Sequence, residues 1–203
     1  MRALLRDSVV ALVLAHTSLA AQANPDTVKQ RNECRLAAQI LTTGQPGPLR
    51  EEALHTIGRC GRDGVPALVA VWAAASDDRA ELGLLVTATR GYAAPELVAT
   101  LFSTLEQPTR ARTARVAALL VLLTYADSSI VAGFHNFLGD STELLFRFYG
   151  SIDHPAPVIG RESLTEPVTG RLRSTLQTLA AGDPDPHMRV AARVALKNPP
   201  LAP

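Results

Sequence analysis

Asp183-Pro184-Asp185-Pro186-His187-Met188-Arg189-Val190-Ala191-Ala192 is the stretch on which the fold turns. Two prolines in alternation with two aspartates end any preceding helix and begin another. The carboxylates fall where they accept free amides and favour the positive end of the helix dipole. Behind them comes an arginine with a small residue three places on, and Met188, Ala192 and Leu196 recur at helical spacing.

The same arrangement appears upstream. Leu49-Arg50 is followed by Ala53-Leu54 and Ile57-Gly58, and Ala114-Arg115 by Ala118-Leu119 and Leu122; Asp78-Arg79 with Leu82 and Leu85 is a looser copy. Arg50, Arg79, Arg115 and Arg189 are 29, 36 and 74 residues apart, and the last, doubled gap predicts a degenerate copy inside it. Between these helices lie partners with apolar stripes: Val65, Leu68, Val69 and Trp72; Val98, Leu101, Phe102 and Leu105; and Ile130, Val131, Phe134, Phe137 and Leu138. Pro48, Pro66 and Pro95 mark helix starts, and Gly61, Gly91 and Gly182 mark stops. Asp78 with Glu81 has the spacing of a capping box. The helix expected over Arg110 to Ala126 is apolar nearly all round, which suits a position covered on several sides. With 47% hydrophobic residues but only 4% aromatic ones, the chain favours helices over strands.

The hydrophobic-Arg-x-x-Ala helices, and the Asp-Pro turn at Asp183 to Pro186 above all, resemble HEAT-type repeats. The resemblance spans most of residues 27 to 198 and implies an all-α fold: an α-solenoid, a right-handed superhelical stack of antiparallel helix pairs. A pair of about 30 to 40 residues cannot bury its apolar face alone, so neighbours share one continuous core. The resemblance also implies that the turn aspartates and helix arginines support packing between repeats. The departure is the stretch from Gly150 to Ser163, with His154, Pro155, Pro157 and Gly160, which breaks the pattern and reads as an irregular loop.

The N-terminal layout is that of a secretory signal peptide: Arg2 and Arg6, the apolar run Val9 to Ala15, then small residues ending Ala21-Gln22-Ala23. The run is far shorter than the roughly 20 residues that span a bilayer. The expected organisation is therefore a signal peptide over 1–23, a helical repeat domain over 24–198 with its loop near 150–163, and a frayed tail over 199–203. The product would be soluble, in the periplasm or outside the cell, with no membrane anchor after cleavage. The chain carries 20 basic and 19 acidic residues, and loss of Arg2, Arg6 and Asp7 balances them. Such a balance argues against nucleic acid as a partner, since that binding depends on a concentrated positive field.

Cys34 and Cys60 are the two cysteines. With helices over Thr27 to Thr43 and Pro48 to Cys60, antiparallel about the turn Gly44 to Gly47, the two come within an axial offset of roughly 4 to 5 Å. A disulfide is expected in an oxidising compartment. The alternative is two buried thiols acting as small hydrophobes.

A search for chemistry finds little that converges. No metal-protease, nucleophile-elbow, phosphate-loop or zinc-quartet pattern is present. His55, His135, His154 and His187 are scattered. Acid and imidazole adjoin only at Asp153-His154, in the irregular loop, and at Asp183, Asp185 and His187, where turn and capping roles explain the acids. Trp72 belongs to a core stripe. No catalytic, cofactor-binding or metal-binding residue is assigned; Asp153 and His154 are the candidate functional loop. The expected function is an exported, non-catalytic interaction or scaffold module of the cell envelope with a protein or peptide partner. The alternative is an enzyme of lyase or isomerase type acting on a small ligand held between helices.

Overall fold

A computed structural model describes residues 25–44, 47–126, 158–160, 164, 168–197 and 201. The signal-peptide segment, the stripe from Ile130 to Leu138, and Asp153 and His154 lie outside the described residues. The chain divides into two compact units, residues 1–32 and 33–203. The described part of the first is the opening of a helix; the contacts below belong to the second.

The protein is all-α. Its described helices are α1 Pro25–Thr43, α2 Pro48–Ile57, α3 Val65–Ala73, α4 Arg79–Thr89, α5 Pro95–Glu106, α6 Arg112–Ala126, α7 Val168–Gly182 and α8 Pro186–Ala195, with a 3-10 turn at Gly61–Gly64. Among the described residues β-structure is limited to one isolated parallel bridge, Tyr92 to Ile159.

Local chemistry sets the helix ends. Proline occupies the first or second position of α2, α3, α5 and α8. Asp78 caps α4 by accepting from the Ala80 and Glu81 amides, and Asp185 caps α8 by accepting from the His187 amide at 2.9 Å. The capping box forms only by half, because the Glu81 carboxylate is drawn to Arg50 while Ser76 Oγ accepts from the Asp78 amide. Helix α2 ends at Ile57 rather than running to Cys60: the Gly58 amide closes on the Leu54 carbonyl, and the chain tightens into the 3-10 turn.

Packing follows an alternating order. Helix α2 lies against α4 and α4 against α6, while α3 lies against α5 and α5 against α7; α5 with α6 and α7 with α8 form close hairpins. The expected stripes make the core: Leu68, Trp72, Leu101, Phe102 and Leu105 are buried, and Val69 and Val98 half-buried. Helix α6 is buried continuously from Ala114 to Tyr125. At Gly58 an added Cβ would come within 2.8 Å of the Ala88 Cα, so α2 and α4 approach to backbone contact there.

The segment in which the doubled gap between Arg115 and Arg189 predicts a further copy lies largely outside the described residues; α6 and α7, on either side of it, pack against each other. One described feature departs from the sequence expectations. In the tail expected to fray, Leu201 is fully buried, and its carbonyl accepts from Arg173 Nε at 3.2 Å. One leucine beyond the prolines is enough to fill the end of the core.

Candidate functional site: an arginine–carboxylate network

The last carbonyls of a helix lack intrahelical donors and carry the negative end of its dipole. Every odd-numbered helix meets that need with an arginine from further along the chain. Arg50 Nη1 donates to the Leu41 carbonyl of α1 at 3.0 Å, and Arg110 Nη2 to the Ala73 carbonyl of α3 at 2.5 Å. Arg115 Nε donates to the Leu105 carbonyl of α5 at 2.9 Å. Arg193 reaches the Ala180 carbonyl of α7 at 3.2 Å, and Arg189 the Asp183 carbonyl just beyond it at 2.6 Å.

Two of these arginines also hold carboxylates of later elements. Arg50 places Nε and Nη2 on one oxygen of Glu81, at 3.1 and 2.6 Å. Arg115 grips both oxygens of Asp183 in a two-pronged bond. One turn earlier on α6, Arg112 Nε donates to Asp185 Oδ2 at 2.6 Å. Burial alone would raise the Asp183 carboxyl, but the bonds from Arg115 and from the Asp185 amide outweigh it and hold the group below the ordinary carboxylate range. Burial acts the same way on Asp185, where Arg112 and the His187 amide prevail. Carboxylates so engaged have their lone pairs committed to holding α6 to the α7–α8 turn, which leaves them poorly placed to act as bases.

A second polar node ties α3, α4 and α6 together inside the core. Trp72 Nε1 donates to Thr89 Oγ1 at 2.9 Å, and that hydroxyl donates to the Leu85 carbonyl at 2.6 Å. Tyr125 Oη is within 2.8 Å of the Thr89 carbonyl and 2.6 Å of the Tyr92 carbonyl, and burial pushes its phenol well above the usual range. The adjacent corner carries the bridge: the Ala93 amide donates to the Ile159 carbonyl at 2.8 Å and the Ile159 amide to the Gly91 carbonyl at 3.0 Å. Gly160 follows with φ +83°, and a Cβ there would collide with the Ala93 carbonyl oxygen. Between α5 and α7, the Arg171 guanidinium lies 4.0 Å over the Phe102 ring centroid, and Thr175 Oγ1 donates to Glu106 at 3.0 Å.

The residues singled out in the sequence distribute as follows. Cys34 and Cys60 are joined as a disulfide with Cα atoms 5.8 Å apart. Trp72 is fully buried, His55 is exposed on α2, and His187 is exposed in the first turn of α8. His135, Asp153 and His154 lie outside the described residues. Arg79 is exposed, and the carbonyls of α3 go to Arg110 instead. Arg110, Arg112, Tyr125 and Glu106 carry no spacing signal; they are chosen by which helices touch. A cleft of about 80 Å³ opens between Gly47, Arg50 and Leu54 on one side and Asp78, Glu81 and Leu84 on the other. That is below the roughly 300 Å³ at which small-molecule sites begin. Among the described residues no three histidine, cysteine or acidic side chains gather to hold a metal, and no helix is long and apolar enough to cross a membrane.

No protein-family model, curated protein or solved structure matches this chain.

Proposed function

We propose that the protein is an exported, non-catalytic interaction or scaffold module of the cell envelope, built as a HEAT-like α-solenoid. The observation that carries this reading is the alternating packing order, with α2, α4 and α6 in one succession and α3, α5 and α7 in another. Stacked helix pairs of this kind present long surfaces whose specificity lies in scattered side chains. The capping of odd-numbered helices by Arg50 and Arg115 supports this reading, because the HEAT resemblance implies a packing role for those arginines. It leaves the outward stripes free for recognition, among them Glu51, Glu52 and His55 on α2 and Ala99 and Ser103 on α5. Export is supported by the signal-like residues 1–23 and by a disulfide, which persists in oxidising compartments.

The test is capture by the immobilised purified protein from an extract of its own cell envelope. A protein partner that saturates, and that survives the exclusion of small molecules by dialysis, is the expected result. Retention of a small ligand alone, or of nothing, would contradict the proposal. N-terminal sequencing of the protein recovered from the envelope fraction is expected to start at Asn24; an intact Met1 start in the cytosolic fraction would overturn export.

A further inference from the structure

The succession α2, α4, α6 continues through α7 to α8, so α2 and α8 stand at opposite ends of the packing. Charge divides along it. Residues 47–106, from α2 to α5, hold eight acids against five arginines. Residues 168–197, which form α7 and α8, hold five cations, Arg171, Arg173, Arg189, Arg193 and Lys197, against two acids. Those acids, Asp183 and Asp185, are bound by Arg115 and Arg112 of α6. Helix α8 itself contains no acidic residue, and Arg189, Arg193 and Lys197 follow at four-residue spacing, which sets like charges along one side of it. Arg193 and Lys197 are exposed, as is Val190, three residues before Arg193.

The other end mirrors this arrangement with the opposite sign. Glu51 and Glu52 are exposed on α2, as is Leu49, three residues before Glu52. Glu51 lines the cleft between α2 and α4 together with Asp78 and Glu81. Arg50 makes both of its bonds to Glu81 on Oε1, and no described donor reaches Oε2. Too small for a free ligand, the cleft admits the end of one long cationic side chain, its methylenes against Leu84 and its charge at the acidic rim.

We propose that a second copy of this chain is a partner of the protein, docked head to tail: the α8 face of one copy, Val190 with Arg193 and Lys197, seats on the α2–α4 face of the next, Leu49 with Glu51, Glu52 and the cleft. Each face is an apolar centre edged by charge of one sign, and the signs are opposite. A face of one sign repels its own image, which disfavours a two-fold dimer through either. Because the two faces differ and lie at opposite ends, the contact is heterologous, and further copies add to an open chain or a ring. This contact rests on the scaffold reading above and names one partner for it.

Sedimentation velocity of the purified protein over a concentration series tests the contact. In about 0.01 M salt the sedimentation coefficient is expected to rise with concentration; in about 1 M salt, where the Debye length is about 3 Å, association should weaken by about tenfold or more. The double variants Arg193→Glu, Lys197→Glu and Glu51→Lys, Glu52→Lys, each verified as folded by its helical circular dichroism, are expected to stay monomeric alone and to associate when mixed, because each offers the face that the other lacks. Lys197→Glu alone touches no described bond of the fold and is expected to weaken association in the same direction. Self-association of either double variant at wild-type strength, or a mixture that stays monomeric, would overturn the head-to-tail contact. Capture of a different envelope protein by a wild-type chain that is monomeric at every concentration would also overturn it, while leaving the scaffold reading intact.

Discussion

Arg50 and Arg115 perform the same two tasks in different surroundings. Each donates to the carbonyl of the helix before it, Leu41 or Leu105, and each holds a carboxylate from later in the chain, Glu81 or Asp183. At the first joint the paired side chains remain 14% and 29% exposed; at the second they are 1% and 3% exposed. Water can replace either member of the first pair if the other is lost. It cannot do so at the second, where one abandoned charge would sit in the core. The difference shows that a recurring sequence device fixes the contact but not its energetic weight, which burial sets.

The largest effect follows from that contrast. Arg115→Ala is expected to cost about 3–5 kcal/mol, since Asp183 is left buried and unpaired; urea denaturation gives the value, and a loss under ~1 kcal/mol would break the comparison. The same pair makes stability depend on pH. Asp183 and Asp185 are held below their ordinary carboxyl values in the fold. Their contribution is therefore present in full above the unfolded carboxylate pKa of about 3.9 and is lost as pH falls through the depressed folded values. The urea midpoint should be level from neutral pH to about 5 and fall steeply below about 4, and Asp183→Asn should flatten that slope.

At the α2–α4 joint the ion pair is not what holds the helices. Gly58→Ala puts a methyl group against the Ala88 backbone and is expected to cost about 1–3 kcal/mol by forcing α2 and α4 apart. Asp78→Ala, which uncaps the helix that carries Glu81, should cost about 1 kcal/mol. Arg50→Ala comes last, at under about 1 kcal/mol, because the pair is partly solvated. If Arg50→Ala proved costlier than Gly58→Ala in parallel melts, the ion pair and not the close backbone approach would be what holds the α2–α4 joint.

Helix starts and core stripes were legible in the sequence because they depend on neighbours in the chain. Proline at first-turn positions, Asp78 and Asp185 as caps, and the stripe through Leu68 and Trp72 all act over a few residues. The Cys34–Cys60 pair was legible because one tight turn relates its two helices. What escaped depends on tertiary proximity. Arg110 rather than Arg79 serves α3 because α5 brings the start of α6 under its end. Glu81 abandons the capping box for a guanidinium that sequence spacing places nowhere near it. Leu201 is buried in spite of the prolines before it, and the Ile159 bridge pairs segments too short to carry a period-two pattern. The candidate loop at Asp153 and His154 lies outside the described residues, so the network built on Arg115 and Asp183 is the part of the site that the fold itself positions.

The most direct test of the account is to place a photo-crosslinking side chain singly at Ala70, Ser103 and Ser174 on α3, α5 and α7, and at Glu52 and Arg79 on α2 and α4, all exposed positions, and to irradiate the protein in its own cell envelope. An extended recognition surface predicts that one partner crosslinks at two or more helices of one succession and not of the other. Crosslinks spread equally over both, or none at any position, would contradict it.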